Sequence, residues 1–146
     1  MSVANVAAVD AAIVAVLAGD AALTALVPDG VWLTTAPARR PLRTGFVIVQ
    51  HQTHGDTEGF RAAMYEEFRY RVTAWVLSPS PAPAAAAAYR VHELLEDTVI
   101  TGITGYTHMS SLRVDRVGPD VQIDPIDNEL RWQIAGADYE VFVSPD

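Results

Sequence analysis

Cysteine is absent from this chain, and lysine is absent too, so that all ten cationic side chains are arginines. Without thiols there are no disulfides, no zinc–thiolate sites and no cysteine nucleophile. Long apolar runs are also missing. None approaches the roughly 18 residues that a membrane-spanning helix needs, and Asp10 breaks the N-terminal apolar stretch, which carries no basic leader. The expectation is a protein made and kept in a cytoplasm. Positive charge is scarce overall. Eighteen acidic residues against 10 basic ones give a net charge of −8, a field that keeps a protein soluble and repels nucleic acid.

What is present suits one folded domain over residues 1–146. Half of the residues are hydrophobic, too many for a disordered chain, and a chain of this length buries about 70% of its unfolded surface. Val6, Val9, Ile13, Val16 and Leu17 recur at three- and four-residue spacings and predict a first helix. Gly19 is a natural residue for its C-terminal end, and Asp20 can cap a second, short helix through Leu26. Val27-Pro28-Asp29-Gly30 then turns the chain into a short strand, Val31-Trp32-Leu33.

After a proline-containing loop over 34–44, Phe46 to Val49 is apolar on both faces, as in a strand covered on both sides. His51 to Arg61 is polar, holds Gly55 and Gly59, and reads as a mobile loop. Glu67 to Leu77 gives the clearest strand signal. Phe68, Tyr70, Val72, Ala74 and Val76 alternate with Glu67, Arg69, Arg71 and Thr73, one face core and the other charged. Ser80 and Pro81 start a helix running to about Asp97, with Ala84, Ala88, Val91 and Leu95 as its close-packing face. Met109 to Val117 alternates around Leu112 and Val114. In the closing strand, 130–143, the inward phase passes from Leu130, Trp132 and Ile134 to Tyr139, Val141 and Val143, as a β-bulge at Ala135-Gly136 would produce. Strand hairpins beside helices, without β-α-β alternation, predict an α+β fold. Its mainly antiparallel sheet of about five strands is flanked by an N-terminal helix pair and one longer helix.

Chemistry is thinly represented. His51 and His54, with Asp56 and Glu58 nearby, have a spacing some metal sites use, but no third ligand is fixed by sequence and a polar loop is the plainer reading. Asp120, Asp124, Asp127 and Glu129 lack the alternate spacing and central glycine of a calcium loop, which leaves a solvated connection between strands. Ser110 and Ser111 follow His108 outside any nucleophile elbow, and no phosphate-binding glycine loop occurs. The expectation is no catalytic residue, no metal and no cofactor. Arg39, Arg40 and Arg43 carry more information: three of the ten cations fall within five residues, in the loop that holds Pro37 and Pro41. Such a loop is either simply exposed, or grips carboxylates on an acidic neighbouring copy. Glu67, Arg69 and Arg71 are likewise either solvated or part of an intersubunit contact.

Leu17-Ala18-Gly19-Asp20-Ala21-Ala22-Leu23-Thr24-Ala25-Leu26-Val27, followed by Asp29-Gly30-Val31-Trp32, resembles the opening of the phage tail-completion family, the tail-terminator and neck proteins of long-tailed phages and related prophage elements. Three later stretches fit the same plan: Phe68 to Trp75, the alanine-rich helix with Tyr89, Leu94 and Leu95, and Arg131 to Val141. The resemblance covers nearly the whole chain in order, on packing patterns and not catalytic signatures. The segments 51–63 and 118–128 are longer than that plan.

The resemblance implies a structural, non-enzymatic virion protein, assembled in the host cytoplasm and resident in the tail or neck. It would form a ring of six copies that caps the head-proximal end of the tail tube, stops tube polymerisation and joins tail to head. Its partners would be its own copies, the tail-tube protein and a head-completion or neck protein, with DNA passing through the lumen unbound. Contact surfaces are expected at Arg39, Arg40 and Arg43, along His51, His54, Asp56, Glu58 and Arg61, and at Glu67, Arg69 and Arg71. A head-completion adaptor or stopper is the nearest alternative. A small α+β enzyme or ligand-binding domain is the alternative from another class.

Overall fold

The computed structural model describes residues 6–35, 44–58, 63–96 and 98–146, with the side chains at 54, 56–58, 63 and 64 outside that description. The order of elements is α1 (Val6–Ala18), α2 (Ala21–Leu26), β1 (Val31–Leu33), β2 (Gly45–Glu58), β3 (Ala63–Leu77), α3 (Ala82–Glu96), β4 (Tyr106–Ile123) and β5 (Arg131–Pro145). The strands form one sheet in the order β1-β2-β3-β5-β4. β1 pairs with β2 in parallel, and the other pairings are antiparallel. This is the α+β, mainly antiparallel architecture expected from the sequence.

One side of the sheet carries the helices. The α1 stripe buries Val9, Ala12, Ile13 and Leu17, while α3 buries Ala84, Ala87, Val91 and Leu95. Ala87 takes the place expected of Ala88, which is only half-buried. Under the helices, Val47 and Val49 of β2, Tyr70 and Val72 of β3, and Tyr139, Val141 and Val143 of β5 complete the core. Two polar contacts fix the helices on it. The Tyr70 hydroxyl donates to Asp10 Oδ1 at 2.6 Å, tying α1 to β3. Asp20 accepts the Leu23 N–H at 2.8 Å as the cap of α2, and its carboxylate also takes Arg90 of α3 through Nε at 2.9 Å and Nη2 at 2.7 Å. The cap residue read from sequence is therefore also the link between two helices. Gly19 is not left-handed; a Cβ there would lie 3.0 Å from the Ala15 carbonyl oxygen, so closeness to the preceding turn is what suits glycine.

Three sequence expectations are corrected. His51 to Glu58 is not a loop but the second half of β2, paired with β3 from His51↔Tyr70 to Glu58↔Ala63; residues 59–62 lie outside the described residues. Its own side chains show no apolar face, so the strand is imposed by its partner, whose alternation is strong. Nor is there a bulge at Ala135-Gly136. The β3–β5 register runs unbroken from Glu66↔Val143 to Leu77↔Trp132. The apparent phase change arises because the two ends of β5 are apolar on opposite faces: Tyr139 and Val141 under the helices, Trp132 on the far side.

The register shifts lie instead in β4, between His108 and Ser110, Arg113 and Asp115, and Val117 and Asp120. β4 also runs through Ile123, taking up half of the connection expected over 118–128. Leu112 and Val114 are exposed, because an edge strand interrupted by bulges no longer presents one face to the core.

Among the described residues the far side of the sheet has no helix. Phe46 stacks on Trp75 with ring centroids 5.7 Å apart and meets Trp132 edge-on at 5.3 Å, so an aromatic cluster covers this side locally. Between the two faces, β5 crosses β3 so closely at Gly136 that a Cβ would lie 2.1 Å from the Val72 carbonyl oxygen.

Gly136→Ala is expected to destabilise the fold by about 3 kcal/mol or more, since overpacked backbone must separate the central strands; denaturant unfolding measures it, and a loss under about 1 kcal/mol would contradict the packing described. Arg90, first, with the Leu23 N–H and against burial, lowers the Asp20 carboxyl from its ordinary 3.8 to about 2. A depressed carboxylate contributes stability that is present above its unfolded value and lost as pH falls through the folded one. Asp20→Asn is thus expected to flatten the acid limb of stability between about pH 4 and about pH 2; an unchanged limb in acid titration would contradict it.

Candidate interaction surfaces

His108 and Ser111 are the one serine–histidine pair brought together among the described residues, with Nε2 2.8 Å from Oγ. The hydrogen bonding runs against a nucleophile. Nδ1 accepts the Ile100 N–H at 3.2 Å, so in the neutral ring the proton sits on Nε2, which must donate to Ser111 instead of taking its proton. Burial holds the His108 pKa below its ordinary value, favouring that neutral ring. Ser111 is itself buried, out of reach of a substrate. The pair locks the start of β4 against the chain before it.

The residues 36–43, and with them Arg39, Arg40 and Arg43, lie outside the described residues, as does Arg61. The base of the arginine loop is nevertheless built. Asp29 Oδ2 accepts the N–H groups of Thr44 at 2.8 Å and Gly45 at 2.9 Å, and the Trp32 indole N–H donates to the Asp29 carbonyl at 2.9 Å. The turn read as Val27 to Gly30 thus anchors the loop at the β1–β2 end of the sheet.

His51 packs its ring on Phe68 and Tyr70 at 6.0 Å and 5.3 Å, on the helix side of the sheet. His54, Asp56 and Glu58 are placed on β2 by their backbones, with side chains outside the description. Among the described residues no three His, Asp or Glu side chains gather as a metal site.

Glu67, Arg69 and Arg71 do share the helix-free face, but the arginines have a partner within the chain. Asp138 on β5 is buried and receives Arg71 Nε at 2.9 Å, Arg71 Nη2 at 3.2 Å and Arg69 Nη2 at 3.1 Å. Arg71 first, then Arg69, hold its carboxyl below the usual carboxylate range against burial, which acts the other way. Glu67 moves oppositely: burial, then the adjacent Glu140 carboxylate, raises it above 4.5. With the Arg71 side chain 42% exposed, this face presents two arginines paired to one carboxylate beside Glu67 and Glu140.

Sequence reading missed three features. Asp124, taken as part of a solvated connection, is buried: its Oδ1 accepts the Trp132 indole N–H at 3.0 Å and its Oδ2 the Asp127 N–H at 2.9 Å. The spacing Asp-Pro-x-Asp before a tryptophan was the available signal. Met109, Leu112, Val114, Val121 and Ile123 are exposed apolar side chains on β4; by register Leu112 lies on the helix-free face, and Val121 and Ile123 on the helix side. A groove of about 500 Å³ runs between α3 and β4, lined by Ala82, Ala85, Tyr89, Arg113, Arg116 and Tyr139 among others. Among the described residues no helix is long and apolar enough to cross a membrane.

No protein-family model matches the chain, and no curated protein matches it either. Its fold is shared with solved chains. One of them, from a structure described as the virion of a native gene transfer agent particle, superposes with a TM-score of 0.68 at 21% identity, over 98% of this chain and 99% of that chain. Likeness at that identity establishes the fold.

Asp138→Asn is expected to cost about 2 kcal/mol, less than for a fully buried pair because both arginines can turn to solvent. The Asp138 contribution is present above its ordinary 3.8 and fades as pH falls through the lower folded value. Urea unfolding at pH 7 and pH 3 should therefore show a smaller difference between mutant and parent at pH 3; an equal difference would contradict the pairing.

Proposed function

We propose that the chain is a structural protein of a phage-like virion and, within it, the tail terminator: a single domain whose copies form a ring, six in number, that caps the head-proximal end of the tail tube. The observation that carries this reading is the end-to-end likeness to a chain of the gene transfer agent virion. The order of packing motifs read from the sequence supports it. A fold shared over both full lengths makes the same building unit, and small units with exposed apolar strands work by assembly.

On this reading the chain is not an enzyme. The Asp29-anchored loop bearing Arg39, Arg40 and Arg43 makes subunit or partner contacts, as do the β2–β3 hairpin end with His51, His54, Asp56, Glu58 and Arg61, and the Glu67, Arg69 and Arg71 face. The partners are the tail-tube protein on one side and a head-completion or neck protein on the other. Net charge −8 lets DNA pass through the lumen without adhering.

Cryo-electron microscopy of the purified chain mixed with its tail-tube protein tests the reading. A six-fold ring on one end of each tube is expected. Uncapped tubes of unlimited length, with the chain binding the head portal instead, would move the assignment to the head-side adaptor.

A further inference from the structure

The groove beneath α3 is open for a structural reason. The helix presents Ala82 and Ala85 to it, and the opposing strand offers Ala135, Gly136 and Ala137, so no side chain is large enough to fill the space. Tyr89, 63% exposed, stands on one rim. Arg113 and Arg116 stand on the other. Of the described arginines, Arg69 and Arg71 are taken by Asp138, Arg90 by Asp20, and Arg131 by the Asn128 and Leu130 carbonyls. Arg113 and Arg116 have no carboxylate among the described residues, although the chain has an excess of acid. An apolar trough with two unengaged guanidinium groups on its rim fits an apolar side chain flanked by carboxylates.

The chain carries such a segment at the tip between β4 and β5. Ile126 is 75% exposed, and Asp127 and Glu129 beside it are exposed too. The tip is already shaped. Asp124 accepts from Asp127 N and the Trp132 indole, Asp127 Oδ1 accepts the Glu129 N–H at 3.0 Å, and the Leu130 N–H donates to the Asp127 carbonyl at 3.0 Å. A preformed plug loses little entropy on docking. It cannot enter its own groove: the strand pairs from Ile123↔Arg131 to Asp120↔Ile134 stand between the tip and the groove floor.

We infer that the β4–β5 tip of one copy seats Ile126 in the α3–β4 groove of the next copy, with Glu129 and Asp127 against Arg113 and Arg116. Plug and socket are different surfaces of one chain, so the contact is head-to-tail, and repetition closes a ring where the rotation per copy permits. The inference rests on the ring reading and gives that ring its subunit contact.

The absence of cysteine makes a direct test clean. Ala85→Cys and Ile126→Cys are made separately, mixed and oxidised, with and without tail-tube protein. A disulfide-linked heterodimer is expected in at least tenfold excess over the homodimers of either variant alone, and the double variant should give a ladder of linked copies. Arg116→Glu on the socket copy should lower the heterodimer yield about tenfold, and Glu129→Arg on the plug copy should restore it. Rings of unmodified protein on tubes without the heterodimer would overturn this contact and leave the ring reading standing. The heterodimer with no ring in any condition would support the contact and overturn the ring. Neither product would overturn both.

Discussion

The pairing of β3 with β5 organises the molecule. From Glu66↔Val143 to Leu77↔Trp132 the two strands run without a register shift, and at Gly136 they approach so closely that a methyl group has no room. This one ladder sets both faces of the sheet. Its helix side lines up Tyr70 with Tyr139 and Phe68 with Val141, the bulky centre of the core. Its far side lines up Trp75 with Ile134 and Arg71 with Asp138. The helices are then fastened by buried or half-buried polar contacts at the edge of that core, Asp10 to Tyr70 and Asp20 to Arg90, whose partners are fixed in place by the ladder and by each other.

The outer strands have a different character. β4 is long, bulged three times and carries exposed apolar residues. Bulges of this kind twist an edge away from accidental strand pairing. β1 is short, and Asp29 holds the base of the loop that follows it. The central ladder thus contrasts with the bulged β4 at the sheet edge and with the exposed β4–β5 tip at Ile126. That division suits an assembly component better than a catalyst, whose reacting groups must converge.

Much of this was legible in the sequence, for identifiable reasons. α1, the Asp20 cap, β3 and α3 each have one apolar face and one polar face, and a period that declares itself. β3 was clearest because Phe68 to Val76 alternate without exception. His51 to Glu58 was misread because strand identity there is supplied by β3 and not by its own side chains. β5 misled in the other sense: its two ends bury opposite faces, so a continuous strand imitated a bulge. Leu112 and Val114, around which the β4 sequence alternates, lie exposed on the bulged edge strand. Of the proposed contact residues, Arg69 and Arg71 could not reveal their engagement with Asp138, which lies some 70 residues away in sequence and is found only through the β3–β5 register.

The proposed role, ending the tail, is tested most directly by the length of tails made without this chain. Particles assembled in cells whose copy of the gene is deleted should release headless tails with tubes of variable, excessive length, measured by negative-stain electron microscopy. Tails of normal, uniform length in the deletion strain, joined to heads or not, would contradict the claim.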